Sequence, residues 1–295
     1  MAQFDLWRSS LDPERVMQVG VTHWHEQEQQ QREDYLTVEE PLELRVERRS
    51  LAVIMRTPGH DHELAMGFLL TEGVIQSAAD VLALEDALDE DGLPLANVLD
   101  ITLRSERQAA SLQSQPMAFE RHFVVSASCG LCGKKSVSDL LLSTPPLTPT
   151  ALQVSVATFY TLANQLRTGQ AVFQHTGGLH AAGLFSSKGE LLLLREDVGR
   201  HNAVDKLIGH GLLHDKFPYT EHVLLVSGRT SFEIVQKALL ARIPFVAAVS
   251  APSSLAVELA HSGGVTLIGF LRGHSMNVYT HSQRITSGVL GTDYA

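Results

Sequence analysis

Cys129 and Cys132 stand three residues apart in Ser128-Cys-Gly-Leu-Cys-Gly-Lys-Lys-Ser136. The thiolate, not the thiol, is the nucleophile, and helix N-termini and neighbouring cations favour it. Lys134 and Lys135 follow the pair, and a short helix is predicted over Lys134–Leu142. Gly130 and Gly133 carry no side-chain bulk, which leaves both sulfurs open to a partner. A lone cysteine is commonly a small buried hydrophobe, but a pair flanked by glycines is poorly suited to core packing. Three chemistries compete for it. A structural zinc site needs four ligands; there is no second CxxC, so two of the 14 histidines would have to complete it. Zinc deaminases carry His-x-Glu and Pro-Cys-x-x-Cys; here no histidine has Glu two residues on, and Ser128 replaces the proline. A redox dithiol usually sits beside a βαβ unit at the start of its domain, whereas this pair is central in the chain. The third chemistry is sulfur carriage, with one thiolate holding a sulfane sulfur as a persulfide.

A second group of residues suggests an anionic ligand. Four Gly-rich basic turns are present: His175-Thr-Gly-Gly-Leu-His180, Arg195-Glu-Asp-Val-Gly-Arg-His-Asn202, Ser227-Gly-Arg-Thr-Ser231 and Arg272-Gly-His-Ser-Met-Asn277. The second and third are predicted to join a strand to a helix, where backbone N–H groups and the helix dipole attract anions. In an open α/β sheet such turns collect at the carboxyl ends of the strands. Neither GxGxxG nor GxxxxGK[ST] occurs, so the turns together, rather than a fingerprint, argue for a phosphate-bearing ligand. Histidines 60, 62, 175, 180 and 201 raise the question of a metal, but His175 and His180 lack the i, i+4 helical spacing of a zincin. Asp197 and His201 have the chemistry of an acid/base pair, yet no Ser or Thr nucleophile motif accompanies them. No metal is assigned.

These residues need a scaffold. Alternation in Leu42–Val46 and the run Leu51–Met55 predict two strands, and Thr57-Pro-Gly59 a turn. Asp61 is placed to cap a helix over Glu63–Leu70 that Gly73 ends. An acidic loop over Glu85–Gly92 precedes a strand near Val98–Leu103, which makes this half a small α+β unit. The polar run Glu26–Asp34 reads as a solvated loop or hairpin. Phe123–Val125 is strand-like and leads into the cysteines; Pro145, Pro146 and Pro149 then break the chain before a helix at Val154–Leu166. Beyond it the pattern is regular. Strands Ala181–Phe185 and Glu190–Leu194 form a hairpin, and Gly199-Arg200 open a helix. Strand Val223–Val226, helix Phe232–Ala241, strand Phe245–Val249, helix Leu255–Ala260 and strand Val265–Phe270 follow. Apolar strands alternating with helices predict a sheet covered on both faces. The expected division is 1–120 for the α+β domain and 121–295 for the α/β domain.

The 295 residues are ample for two such units. Hydrophobic residues at 44% and charged residues at 19% describe a globular chain, not a disordered one. The formal net charge of −10 argues against nucleic acid or an anionic membrane surface as partner. Two cysteines cannot form a disulfide framework for this length. No apolar run reaches membrane-spanning length, and the first residues lack the apolar core of a signal peptide. A cytoplasmic protein is expected.

With these motifs laid out, the chain resembles the formate dehydrogenase accessory sulfurtransferase family from about Tyr35 to His281. The resemblance rests on Glu39-Glu-Pro-Leu-Glu-Leu-Arg45, Met55-Arg-Thr-Pro-Gly59, Gly67-Phe-Leu-Leu-Thr-Glu-Gly73, the cysteine motif, Arg195–Asn202 and Phe270-Leu-Arg-Gly. It implies that a cysteine desulfurase passes sulfur to Cys129, held there as a persulfide, with Cys132 beside it. The sulfur then goes to the bis-guanine-dinucleotide form of the molybdenum cofactor before that cofactor enters the formate dehydrogenase catalytic subunit. It further implies that the nucleotide end of the cofactor lies against Phe270, Leu271, Arg272, Gly273, His274 and Ser275. The second domain should be a three-layer α/β/α unit like cytidine deaminase, without its zinc site, and the protein a homodimer. Two other classes stay open: a CxxC thiol-disulfide oxidoreductase, and a cofactor chaperone that needs neither thiol.

Overall fold

The computed structural model describes residues 14–104, 124–125, 141, 144–148 and 151–287. Cys129, Cys132 and, apart from Leu141, the helix expected over Lys134–Leu142 lie outside them. The described residues open with an antiparallel hairpin, β1 (Val16–His25) and β2 (Glu28–Thr37), paired along its whole length from Val16↔Thr37 to His25↔Glu28. β3 (Glu40–Val46), β4 (Arg49–Arg56), helix α1 (Asp61–Thr71), β5 (Val81–Leu88), β6 (Pro94–Leu103) and β7 (Val124–Val125) follow. Their five strands form one sheet in the order β5-β6-β3-β4-β7. Thus β7, from beyond residue 120, completes the first sheet.

After the short β8 (Val154–Ser155) come α2 (Val156–Gly169), α3 (Ala171–Thr176), β9 (His180–Ser186) and β10 (Leu191–Asp197). They are followed by α4 (Arg200–Leu213), β11 (His222–Val226), α5 (Phe232–Leu240), β12 (Phe245–Ala248) and α6 (Ser254–Gly263). β13 (Thr266–Arg272), β14 (Ser275–Val278) and β15 (Ile285–Thr286) end the described chain. The large sheet has the order β10-β9-β11-β12-β13-β14, parallel within β11-β12-β13 and antiparallel at its other pairings.

Strand periodicity divides the large sheet's two faces. Val223 and Leu225 with Phe245 and Ala247 pack against Phe159, Leu162 and Leu166 of α2. Leu224 and Val226 with Val246 and Ala248 pack against the other side, which α4, α5 and α6 cover. That second cluster runs on without a break into Leu42, Leu44, Ile54 and the apolar residues of α1. Helices α1 and α4 form the seam. A Cβ on Gly67 would overlap the carbonyl of Asp205, and one on Gly209 the carbonyl of Glu63. Only glycine at both positions lets the two backbones come this close.

Three local expectations differ from the structure. Asp61 does not cap α1: its carboxylate takes a bidentate pair from Arg56, 3.0 Å from Nε and 2.8 Å from Nη2. The helix starts instead from His60 in the left-handed region, φ 60°. The acidic run after Val81 is strand β5 up to Leu88, because cross-strand pairing with β6 outweighs its Glu and Asp content. The last basic turn is shorter than expected, since β14 begins at Ser275.

Candidate functional site

Strand polarity brings the four basic turns to one end of the large sheet. β11, β12 and β13 run parallel, so Ser227, Val249 and Phe270–Ser275 lie at their shared carboxyl end. β9 runs antiparallel to β11 with Ala182 opposite Val226, which puts His180 at the same end. β10 reverses again, and Asp197 pairs with His180. Backbone bonds fasten the loops together: Ser227 N to Ala181 O at 3.0 Å, Thr230 N to Ala251 O at 3.2 Å and Phe270 N to Ser250 O at 3.1 Å. Helices α4, α5 and α6 all start here, from Gly199, Ser231 and Ser253.

The Phe270–Ser275 segment is a turn with a ladder irregularity between Gly269 and Arg272. Phe270 adopts φ 54°, a costly conformation for an aromatic residue. The residue is 40% exposed at the rim of the crevice. Arg272 is exposed, and its Nε donates to the Val249 carbonyl at 3.3 Å. Gly273 has φ 51° with nothing within 4 Å of an added Cβ. His274 packs edge-on to Tyr160 with centroids 5.3 Å apart. Leu271 is different: the whole residue is buried among Ile268, Phe245 and their neighbours, and it supports the turn from beneath.

The Arg195–Asn202 segment divides between architecture and surface. Glu196 caps α3 through the amides of Val172 and Phe173 at 3.1 and 2.9 Å. Arg195 forks onto Glu63 with its Nε and Nη2. Asp197 is not an acid/base partner of His201. It is completely buried, and its Oδ2 pairs with Lys206 Nζ at 2.8 Å and accepts from the Thr57 amide at 3.2 Å. Its Oδ1 accepts from Gly199 N and Asn202 Nδ2, both at 2.8 Å. Burial pulls the Lys206 pKa down, against the opposing pull of Asp197. His201 turns instead to Glu233, 2.9 Å from Oε2, and to Ser231 Oγ at 3.2 Å. The hydrogen bond from His201 holds the Glu233 carboxyl below its ordinary value, more than offsetting burial. Sequence reasoning missed this pairing because the two residues lie on different helices.

The described chain also bears on where the cysteines attach. β7 pairs in parallel with β4, Val53↔Val124 and Ile54↔Val125. β7 therefore points toward the end of the sheet where Arg56 and Thr57 lie. Thr57 is itself fastened to the crevice: its Oγ1 accepts from Val198 N at 3.2 Å and its carbonyl from Lys206 Nζ at 2.8 Å. Among the described residues no three His, Cys, Asp or Glu side chains converge as a metal site would require. No described helix is long and apolar enough to cross a membrane.

The FdhD/NarQ family model matches residues 37–286. The chain is 50% identical over 269 residues to the sulfur carrier protein FdhD of Mycolicibacterium paratuberculosis, covering 90% of this chain and 97% of that one. It is 42% identical over 275 residues to the sulfur carrier protein FdhD of Saccharolobus solfataricus, covering 92% and 98%. A crystal structure of a formate dehydrogenase accessory protein from Desulfotalea psychrophila has the same fold, with TM-score 0.70 at 22% identity over 92% of this chain and all of that one. On a match that spans both sheets and all four basic turns, the chain belongs to the FdhD/NarQ family.

Proposed function

We propose that the protein is a cytoplasmic sulfur carrier serving formate dehydrogenase. Its Cys129 thiolate attacks the outer sulfur of a desulfurase persulfide; a new S–S bond forms at Cys129 and the desulfurase thiolate leaves. The sulfur then passes to the bis-guanine-dinucleotide form of the molybdenum cofactor, bound as acceptor, with Cys132 assisting. The observation that carries this reading is the 50% identity, over nearly the whole of both chains, to a protein named a sulfur carrier. The parallel pairing of β7 on β4 supports it, because β7 points toward the crevice and its last residue, Val125, stands four positions before Cys129.

Three features of the Phe270–Ser275 turn support binding of a nucleotide end there. Phe270 offers an exposed ring face for stacking on guanine, Arg272 an exposed guanidinium for phosphate oxygens, and Gly273 open space above its backbone. Leu271 anchors the turn from the core, and His274 and Ser275 line it on the exposed side. The large sheet's mixed order and its helices on both faces also support the likeness to cytidine deaminase. Functional partners are then the desulfurase, the formate dehydrogenase catalytic subunit and a second copy of the chain.

Incubation with a cysteine desulfurase and cysteine tests the reading directly. The peptide containing Cys129 should gain the mass of one sulfur, and a reductant should remove it. Equal uptake by Cys129→Ala protein would make Cys132 the carrier. If neither cysteine takes up sulfur, a redox or thiol-independent chaperone role is the better account.

A further inference from the structure

A basic cluster stands apart from the Phe270–Ser275 turn, at the end of β11. Gly228 is buried, and an added Cβ would lie 3.2 Å from His180 Nδ1 and 3.7 Å from Arg200 Cδ. Glycine at this position therefore lets both side chains lie directly over the backbone of the turn. Arg229 is the next residue and is exposed, while Arg200 is the first residue of α4. Arg200, His201 and Arg229 are all near enough to His180 for their charges to oppose its protonation, reinforcing the larger effect of burial.

The acidic groups nearby are already engaged. Asp197 is matched by Lys206 and three further donors. Glu233 is paired with His201. Among the described residues Arg200 and Arg229 make no ion pair, and Glu233, whose carboxyl feels the Arg200 charge, is held by His201. Moreover, among the described residues Arg200 Nε is buried without a hydrogen-bond partner, and so is the hydroxyl of Thr230 in the same turn. A buried guanidinium N–H left unmade is costly and needs an explanation. In a chain of net charge −10, local convergence of cations is the condition for binding an anion.

We propose that Arg200, Arg229 and His180, gathered over Gly228, form an anion subsite for a phosphate or phosphoanhydride group. The start of α5, of nine residues, adds backbone N–H groups to the same turn, since Ser231 makes no side-chain cap there. The end of β11 is two strands from that of β13, roughly 10 Å at ordinary strand spacing. A ligand stacked on Phe270 would thus extend its phosphates across the end of β12 toward Gly228. As a subsite for the acceptor nucleotide the cluster rests on the proposed function; as an anion site it stands on its own geometry.

Calorimetric titration of the full chain with inorganic pyrophosphate and with GDP tests this. Wild-type protein should bind both. Arg200→Ala and, at an exposed position, Arg229→Ala should each weaken pyrophosphate binding by about tenfold or more, the loss of a charge-assisted phosphate contact. Arg272→Ala should weaken GDP more than it weakens pyrophosphate, and Lys188→Ala, at the far end of β9, should alter neither. Wild-type protein that binds no pyrophosphate would overturn the proposal. So would pyrophosphate binding lost in Arg272→Ala but kept in both Arg200→Ala and Arg229→Ala. Neither result bears on sulfur loading of Cys129. Conversely, pyrophosphate binding as expected in a protein that takes up no sulfur leaves the anion site standing and removes the carrier reading.

Discussion

The amide of Thr57 donates to Oδ2 of Asp197 at 3.2 Å across 140 residues of sequence. The bond joins the exit of β4 to the exit of β10, the point where the two sheets meet at the crevice. Val198 N returns the contact to Thr57 Oγ1, and Lys206 binds both Asp197 and the Thr57 carbonyl. One buried carboxylate therefore ties the end of β4, the strand on which β7 pairs, to the basic turns.

Asp197→Ala should be severely destabilising. It leaves the ammonium of Lys206, fully buried, without its counter-charge and orphans the Thr57 and Gly199 amides. Breaking a buried pair on one side costs about 3–5 kcal/mol, to be read from urea denaturation midpoints. A loss under about 1 kcal/mol would mean that the pair does not hold the sheets together.

Much of this arrangement can be read in the sequence, and the exceptions have physical causes. The strands β3, β4, β9, β11, β12 and β13 show as apolar or alternating runs because burial on one or two faces selects those residues. Hairpin β1–β2 buries little, so its Gln- and Glu-rich second strand carries no such signal. Glu196 and Asp197 look like surface acids of a binding turn; only the fold supplies the donors that make them structural. The gathering of the four turns was foreseeable from the strand-end rule, whereas the His201–Glu233 pairing and the approach of His180 and Arg200 to Gly228 require the tertiary structure.

The α1–α4 seam gives a second prediction. In Gly67→Ala or Gly209→Ala the new methyl has no room, because the obstacle in each case is a main-chain carbonyl that cannot rotate away. Each substitution should force the helices apart at a cost of about 3 kcal/mol, the upper end for overpacking, measured by thermal or urea unfolding. Gly73→Ala tests the alternative that helix-associated glycines matter only through backbone freedom. It has positive φ but open space, so it should cost less, about 1 kcal/mol.

A third prediction concerns acid. Glu63 is buried, which by itself raises its pKa, but hydrogen bonds from Arg195 and His210 outweigh this and hold it below its ordinary value of 4.5. A carboxyl depressed in the folded state stabilises above its unfolded pKa, and the contribution disappears as pH falls through the folded value. Unfolding free energy should therefore decline below pH 4.5, the unfolded value. Glu63→Gln should be less stable at neutral pH and show a shallower decline. An unchanged slope in the variant would assign the acid sensitivity to other carboxyls.

The last prediction separates the two cysteines in the cell. Val125 is the end of β7, held in register on Ile54, and Cys129 follows after only Ser126, Ala127 and Ser128. Cys132 instead abuts the helix predicted from Lys134, whose dipole and lysines favour ionised thiols. Cys129 should be the sulfur-accepting residue, and Cys132 should act after loading, by attacking the persulfide or receiving its sulfur. Formate dehydrogenase activity, assayed after complementing a strain that lacks the carrier, should be abolished by Cys129→Ala and reduced less by Cys132→Ala. Protein levels should match wild type in both. Full activity in the double variant would remove thiols from the function altogether and leave cofactor binding as the protein's role. Abolition by Cys132→Ala with activity retained in Cys129→Ala would exchange the two assignments while leaving the sulfur-carrier reading intact.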